Sequence, residues 1–269
     1  MMFFIIGLII VFLAYAFLIM PGKLPKNADN RLWETYYAHR GLYERDQSVP
    51  ENSMVAFQKA VKAGYGIELD LNLTLDGKIV VFHDDTLLRV CGVDKLITDC
   101  TDTELSQYRL YDTDERIPLF SEVLSLVDGQ VSLIVELKTT KHWKELCQKA
   151  AEALDAYKGT YCIESFNPLM VRWFYKNRPD VVRGQLSAGS KIFRGIPIWQ
   201  RFVIVSLITN VMARPHFVAF YYGDAHRKPG LGLFHRLTGK LVGWTVRDED
   251  DLEYCLERFD VIIFEFINP

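Results

Sequence analysis

The sequence predicts an α/β fold, a (β/α)8 TIM barrel with a β-hairpin insertion after its second strand, preceded by one N-terminal transmembrane helix. Three observations carry this. Short β-rich runs alternate with amphipathic helical runs to the end of the chain, and eight of them qualify as wall strands. Ionisable residues stand at the ends of the first three runs, where a barrel of this kind places its functional groups. Residues 3–20 are uncharged and almost wholly apolar. The chain of 269 residues then divides into an anchor at 1–22, a linker at 23–34 and a barrel at 35–269.

The apolar segment is about 27 Å long as a helix at ~1.5 Å per residue, the short end of a membrane span. Pro21-Gly22 ends it. A cleaved signal peptide is the competing reading, since Ala14-Tyr15-Ala16 resembles a cleavage site. No Lys or Arg precedes the run, however, and cleavage there would leave Phe17-Leu18-Ile19-Met20 at the new terminus. Lys23, Lys26 and Arg31 follow the span, which favours a cytoplasmic catalytic domain on the cell membrane. Five cysteines without a CxxC pair point to free thiols in a reducing compartment and against a zinc site.

The first wall strand is expected at 35–38, running into His39-Arg40-Gly41. Asn52 or Ser53 then caps a helix at 54–63, with Val55, Phe57, Ala60 and Val61 on one face and Gly64 as its stop. Two β-rich runs, 67–74 and 78–82, meet at Asp76-Gly77, a strong hairpin signal. A two-residue loop there pairs Leu75 with Lys78 and sets Asp70 opposite His83, with Glu68 on the same face as Asp70. Residues 84–116 read as polar loop with a short helix at 102–108, and a helix follows at 121–127.

Strands are expected at 131–138, 160–165, 181–186, 217–222, 241–246 and 261–266, with the clearest helices between them at 142–157, 168–177 and 248–258. With 35–38 and 66–70, the wall has eight strands. Residues 196–212 place Phe202, Val205, Ile208 and Met212 at helical spacing. This predicts a barrel helix whose stripe faces the sheet; a membrane-touching surface helix is the second reading.

Composition excludes some functions. Apolar residues at 49% and charged residues at 24% are ordinary for a globular protein, and a net charge of −3 offers no basic footprint for nucleic acid. The ionisable residues at strand ends point to chemistry instead. Glu68, Asp70 and Glu136 supply carboxylates suited to one hard divalent cation, Ca2+ or Mg2+. A solvated strand face carrying a chance Glu/Asp pair is the plainer alternative for the hairpin. His39 and His83 suit an acid–base pair, while Arg40 and Lys138 suit an anionic oxygen, an arginine fork fitting phosphate well. Glu51 either orients Arg40 or favours the start of its helix through the dipole. Trp244 either stacks on substrate at the mouth or belongs to the core. His142, His216, His226 and His235 match no motif.

The runs Ala38-His39-Arg40-Gly41, Pro50-Glu51-Asn52-Ser53, Glu68-x-Asp70, Thr74-x-Asp76-Gly77, His83-Asp84 and Glu136-x-Lys138 together resemble the glycerophosphodiester phosphodiesterase family. Ser165-Phe166 and Trp244-Thr245-Val246 match later landmarks of that family. The resemblance implies a phosphoric diester hydrolase releasing sn-glycerol 3-phosphate and an alcohol. It also implies Glu68, Asp70 and Glu136 as metal ligands, His39 and His83 as the general acid and base, and Arg40 and Lys138 near the phosphate. One departure stands out: where the family usually ends on a Thr-Asp pair, this chain has Phe264-Glu265-Phe266.

Beside a small-molecule substrate, the membrane anchor makes lysophospholipid or phosphatidylglycerol-derived substrates reasonable, with apolar groups around 192–198 and Phe234 available to line an acyl chain. A lysophospholipase D-type or cyclising phospholipase C-type enzyme is the alternative activity. A membrane-anchored binding module without chemistry is the non-enzymatic one, and the complete set of His39, His83, Glu68, Asp70 and Glu136 argues against it.

Overall fold

Every residue of Gly66–Leu73 is buried, as befits a strand covered on both faces and paired on both edges. In the computed structural model, which describes every residue except residue 194, this strand is β2. It lies parallel to β1 (Tyr37–His39), with Ala38 beside Ile67, and to β4 (Leu133–Leu137), with Asp70 beside Glu136. Between them in sequence, β3 (Ile79–Val81) pairs antiparallel with the distal part of β2. The wall continues through β5 (Tyr161–Ser165), β6 (Arg183–Ser187), β7 (Phe217–Tyr221), β8 (Lys240–Val246) and β9 (Val261–Phe264). β9 returns to β1, Tyr37 beside Ile263, so eight parallel strands close into a barrel and β3 stands outside the ring.

The helices, in chain order, are α1 (Met2–Ile19), α2 (Met54–Ala63), α3 (Leu88–Cys91), α4 (Asp102–Leu105), α5 (Phe120–Val127), α6 (Trp143–Asp155), α7 (Pro168–Asn177), α8 (Ile198–Val205), α9 (Asn210–Ala213), α10 (Pro229–Arg236) and α11 (Glu249–Leu256). Their ends follow local chemistry. Ser53 Oγ accepts from the Ala56 amide at 3.2 Å to start α2, and Gly64 ends it in the left-handed region. Asn167 accepts from the Leu169 amide at 3.0 Å, with Pro168 as the first residue of α7.

Strand parity divides the core in two. Tyr37, Ile134, Cys162, Phe217, Ala219, Val242 and Ile263 fill the barrel interior, while Leu69, Leu71, Val135, Leu137, Val218 and Phe220 meet the surrounding helices. The same parity turns Glu68, Asp70 and Glu136 inward at the C-terminal end of the barrel. Residues 21–34 lie across the opposite end. There Leu32 is buried, Trp33 packs edge-on against Phe217 at 5.8 Å, and Tyr37 donates its hydroxyl to the Leu32 carbonyl at 3.0 Å.

Four expectations need correction. The hairpin register is shifted by one: Leu73 faces Ile79 and Leu71 faces Val81, so Asp70 stands opposite Phe82 rather than His83. The loop holds three residues because Thr74 Oγ1 accepts from the Lys78 amide at 2.8 Å, and Gly77 closes it at positive φ. Residues 84–116 are more than loop. Val80, Phe82, Leu87, Val90, Ile97, Cys100, Leu105, Leu110 and Ile117 form their own small core there. The stretch 196–212 is two helices, not one. It breaks where Leu207 takes a positive φ and turns inward, and none of α8 is buried. The expected inward stripe is therefore absent. Phe234, expected near an acyl chain, is fully buried on α10 within the layer between sheet and helices.

Candidate active site

Two strands bring the first carboxylates together. Glu68 and Asp70 arrive from β2 and Glu136 from its neighbour β4; the three offer carboxylate oxygens that lie within 4.8 Å of one another, all buried. Such a cluster is costly unless countered. Lys138 Nζ counters part of it, at 2.9 Å from Glu136 Oε1 and 3.4 Å from Asp70 Oδ1. Arg40 adds its backbone amide to Glu68 Oε2 at 3.1 Å and brings Nε to 3.6 Å from Asp70. The Asn52 side chain, seen in the sequence only as a cap, donates to Asp70 Oδ2 at 2.9 Å.

The resulting electrostatics are uneven. Burial, then Asp70 and Glu136, pushes the Glu68 carboxyl well above the usual carboxylate range. Glu136 is raised chiefly by burial, with Lys138 opposing. Asp70 goes the other way: although burial opposes ionisation, Lys138, His83 and Arg40 hold it low. Without a cation, the cluster thus favours one firmly ionised carboxylate beside two that resist ionising.

The histidines are each set by a second carboxylate. His39, at the end of β1, shares a short hydrogen bond through Nδ1 with Glu265, and its Nε2 lies 3.8 Å from Glu68. Arg247 Nε donates to the other oxygen of Glu265 at 2.6 Å. Burial, reinforced by Arg40, lowers the His39 pKa despite Glu265. His83 lies past β3, its Nδ1 2.6 Å from Asp84 Oδ1, and is close enough to Asp70 and Glu136 to help lower both. The missed strand register did not matter here, because the chain leaves the ladder before His83.

Glu51 orients Arg40 in the structure. It accepts from Arg40 Nη1 at 2.8 Å and from Arg89 at 2.6 and 2.9 Å, while Arg89 Nε also holds Asp84 at 2.7 Å. One guanidinium therefore ties the support of Arg40 to that of His83. Trp244, at the end of β8, has Phe166 at 5.9 Å and Tyr221 at 5.6 Å, so it belongs to an aromatic wall of the mouth and not to the carboxylate cluster.

Sequence reasoning assigned no role to Glu265, Asp84, Arg89 or Glu164. Glu164 is buried beside Glu136 on β5, and burial, then Glu136 and Asp70, raises its carboxyl far above the usual range. Strand parity applied to Tyr161–Ser165 would have found it. The pairing of Glu265 with His39, 226 positions apart, left no local signal beyond the unusual strand end.

Fold and site together define a TIM barrel with a buried carboxylate centre at its mouth, flanked by two carboxylate-held histidines. Residues 39–267 match the glycerophosphoryl diester phosphodiesterase family, and the chain belongs to it. A glycerophosphodiester phosphodiesterase of Bacillus altitudinis is 32% identical over 157 residues, 54% of this chain and 63% of that protein. The chain spans just under two thirds of the length of the first curated relatives it matches, 63 to 66%. Lysophospholipase D GDPD1 of Rattus norvegicus is 31% identical over 162 residues, 55% of this chain and 50% of that protein. A phosphodiesterase of Oleispira antarctica, solved in complex with the product sn-glycerol-3-phosphate, has a TM-score of 0.70 at 22% identity, covering 86% of this chain and 92% of that one. At that identity the likeness shows the fold.

Proposed function

We propose that this protein is a metal-dependent phosphodiesterase that hydrolyses glycerophosphodiesters to sn-glycerol 3-phosphate and an alcohol. The observation that carries the reading is the convergence of Glu68, Asp70 and Glu136 with Arg40, Lys138 and the two held histidines at the mouth of one barrel. The all-oxygen donor set, two of whose members resist ionising without a counter-charge, fits Ca2+ or Mg2+. When bound, the cation would polarise the phosphoryl oxygens and stabilise charge building on them. Arg40 and Lys138 would hold the remaining anionic oxygens, Glu51 keeping the Arg40 fork aimed. With Glu265 accepting from Nδ1, His39 keeps Nε2 as the open acceptor and serves as general base toward a substrate hydroxyl or water. His83, held by Asp84, protonates the leaving alkoxide. One water is consumed for each P–O bond broken.

We also place the barrel, residues 35–269, on the cytoplasmic side of a membrane anchored by residues 1–22 through the 23–34 segment. Support comes from α1, the described helix long and apolar enough to cross a bilayer, from Lys23, Lys26 and Arg31 after it, and from five free thiols. The test uses the full chain in detergent, stripped of metal by chelation. Glycerol 3-phosphate should appear from glycerophosphocholine only with added Ca2+ or Mg2+, and not with His39→Ala. Absence of phosphodiester cleavage on both this substrate and a lysophospholipid, with either metal, would overturn the reading.

A further inference from the structure

α8 breaks the pattern of the helical layer. None of its residues is buried, and Ile198, Trp199 and Phe202 are 80%, 67% and 66% exposed. Beyond the first 20 residues, no other described large apolar residue is as exposed. A barrel helix normally turns such a stripe to the sheet; an outward stripe marks an interaction face.

The direction of α1 says what lies against that face. At the floor of the barrel, just before β7, Arg214 Nη1 donates to the carbonyls of Phe17 at 2.7 Å and Met20 at 3.1 Å, and Gly22 N donates to Pro215 at 3.0 Å. One turn back along α1, Tyr15 donates its hydroxyl to the Ser206 carbonyl at 3.1 Å and lies against Gly230, in the first turn of α10. That turn follows β7 and so lies toward the mouth. α1 therefore climbs from floor to mouth. Residues 2–14, all exposed, continue beyond it for about 20 Å at ~1.5 Å per residue.

α8 follows β6 and begins on the mouth side next to this span, where Tyr15 and Phe202 line one cleft. The loop leading into α8 sets Phe193 5.8 Å from Phe166, which in turn stacks edge-on to Trp244. An aromatic wall thus runs from the rim of the site to α8. Over residues 188–213 the sequence carries Lys191, Arg194 and Arg201 and no Asp or Glu. Aromatic and basic residues without acids suit an anionic lipid headgroup layer.

We propose that α8 is an interfacial membrane helix: Ile198, Trp199 and Phe202 enter the headgroup boundary of the bilayer that residues 2–14 of α1 enter, holding the barrel mouth face-on to that bilayer. α1 supplies attachment and α8 supplies tilt. The consequence for substrate rests on the phosphodiesterase reading: a single-chain glycerophosphodiester lipid reaches the site without leaving the membrane. Water would add at phosphorus as the bond to the headgroup alcohol breaks, giving lysophosphatidate and the free alcohol.

The full chain is reconstituted in vesicles of mixed phosphatidylcholine and phosphatidylglycerol. In vesicles with brominated acyl chains, wild-type tryptophan fluorescence should be quenched by more than that of Trp199→Phe; equal quenching overturns the proposal. The doubly substituted Trp199→Ser, Phe202→Ser protein should turn over vesicle-borne lysophosphatidylcholine at least roughly tenfold more slowly, with soluble glycerophosphocholine turnover held within about twofold. Equal loss on both substrates, or no loss, overturns the docking role. Should wild type cleave neither substrate, the phosphodiesterase reading fails while the quenching still decides the docking. A dimer in detergent that the double variant dissolves, without the quenching difference, assigns the face to a second copy and also overturns the proposal.

Discussion

Glu265→Ala removes the carboxylate that holds His39 from the end of the neighbouring strand β9. In the folded protein one Glu265 oxygen takes the His39 Nδ1 bond and the other takes Arg247 at 2.6 Å. Glu265 itself is kept ionised, its pKa lowered by His39 and Arg247 against the effect of burial. A hydrogen bond to a charged group has a net worth of about 1.5–3 kcal/mol. If that bond fixes the His39 tautomer and ring in the transition state, its loss lowers kcat by roughly 10- to 150-fold, at about 1.4 kcal/mol per tenfold. Arg247 is more than half exposed, so water can take over its side of the interaction and the fold should persist. Glu265→Gln keeps an acceptor without the charge and should fall between wild type and the alanine variant. The assay is kcat and KM on glycerophosphocholine, with calorimetric Ca2+ affinity and a thermal melt beside them. The expected result is a fall in kcat with metal affinity and melting temperature nearly unmoved. A kcat within about twofold of wild type, or a parallel loss of metal affinity, would refute the positioning role.

Three further outcomes follow from the same geometry. Because burial and mutual repulsion raise Glu68 and Glu136, Ca2+ at about a hundred times its Kd should stabilise the chain by ~2.7 kcal/mol, roughly 5–10 °C in Tm; Glu68→Gln should erase that shift in a thermal melt. Arg89→Ala, which frees both Glu51 and Asp84, should lower kcat/KM by about tenfold or more while the purified protein still melts cooperatively; an unchanged rate would show that neither support depends on it. His216 is buried, accepts from the Arg183 amide at 3.2 Å, and is lowered to about 3 by burial and then by Arg183. Its neutral form is therefore favoured by folding, so the contribution is complete above ~6.5, the unfolded value, and is lost as pH falls toward 3. At pH 4.5 the loss is about 2–3 kcal/mol, measurable as a fall in urea midpoint that His216→Gln should soften.

Local chemistry made much of this protein legible. Short β-rich apolar runs bounded by turns gave every wall strand to within a few residues, since a strand covered on both faces reads as a near-continuous apolar run. Side-chain parity along β2 placed Glu68 and Asp70 together, because successive residues of any strand must alternate. The existence of the hairpin at Asp76-Gly77 was equally local, yet its register was not: the Thr74 side chain, closing the turn onto Lys78, selected three loop residues over two. α8 shows a deeper limit. An apolar stripe at helical spacing reads the same whether it meets a sheet or stays bare, and only the turn at Leu207 shows that α8 leaves it outside the core. The sequence by itself determined the strands, the motifs and the donor types of the site, all of which depend on neighbours a few residues away. The tertiary structure alone decided which carboxylate holds which histidine and which face stays bare. Those pairings join residues such as His39 and Glu265, 226 positions apart, and only closure of the barrel brings them within reach.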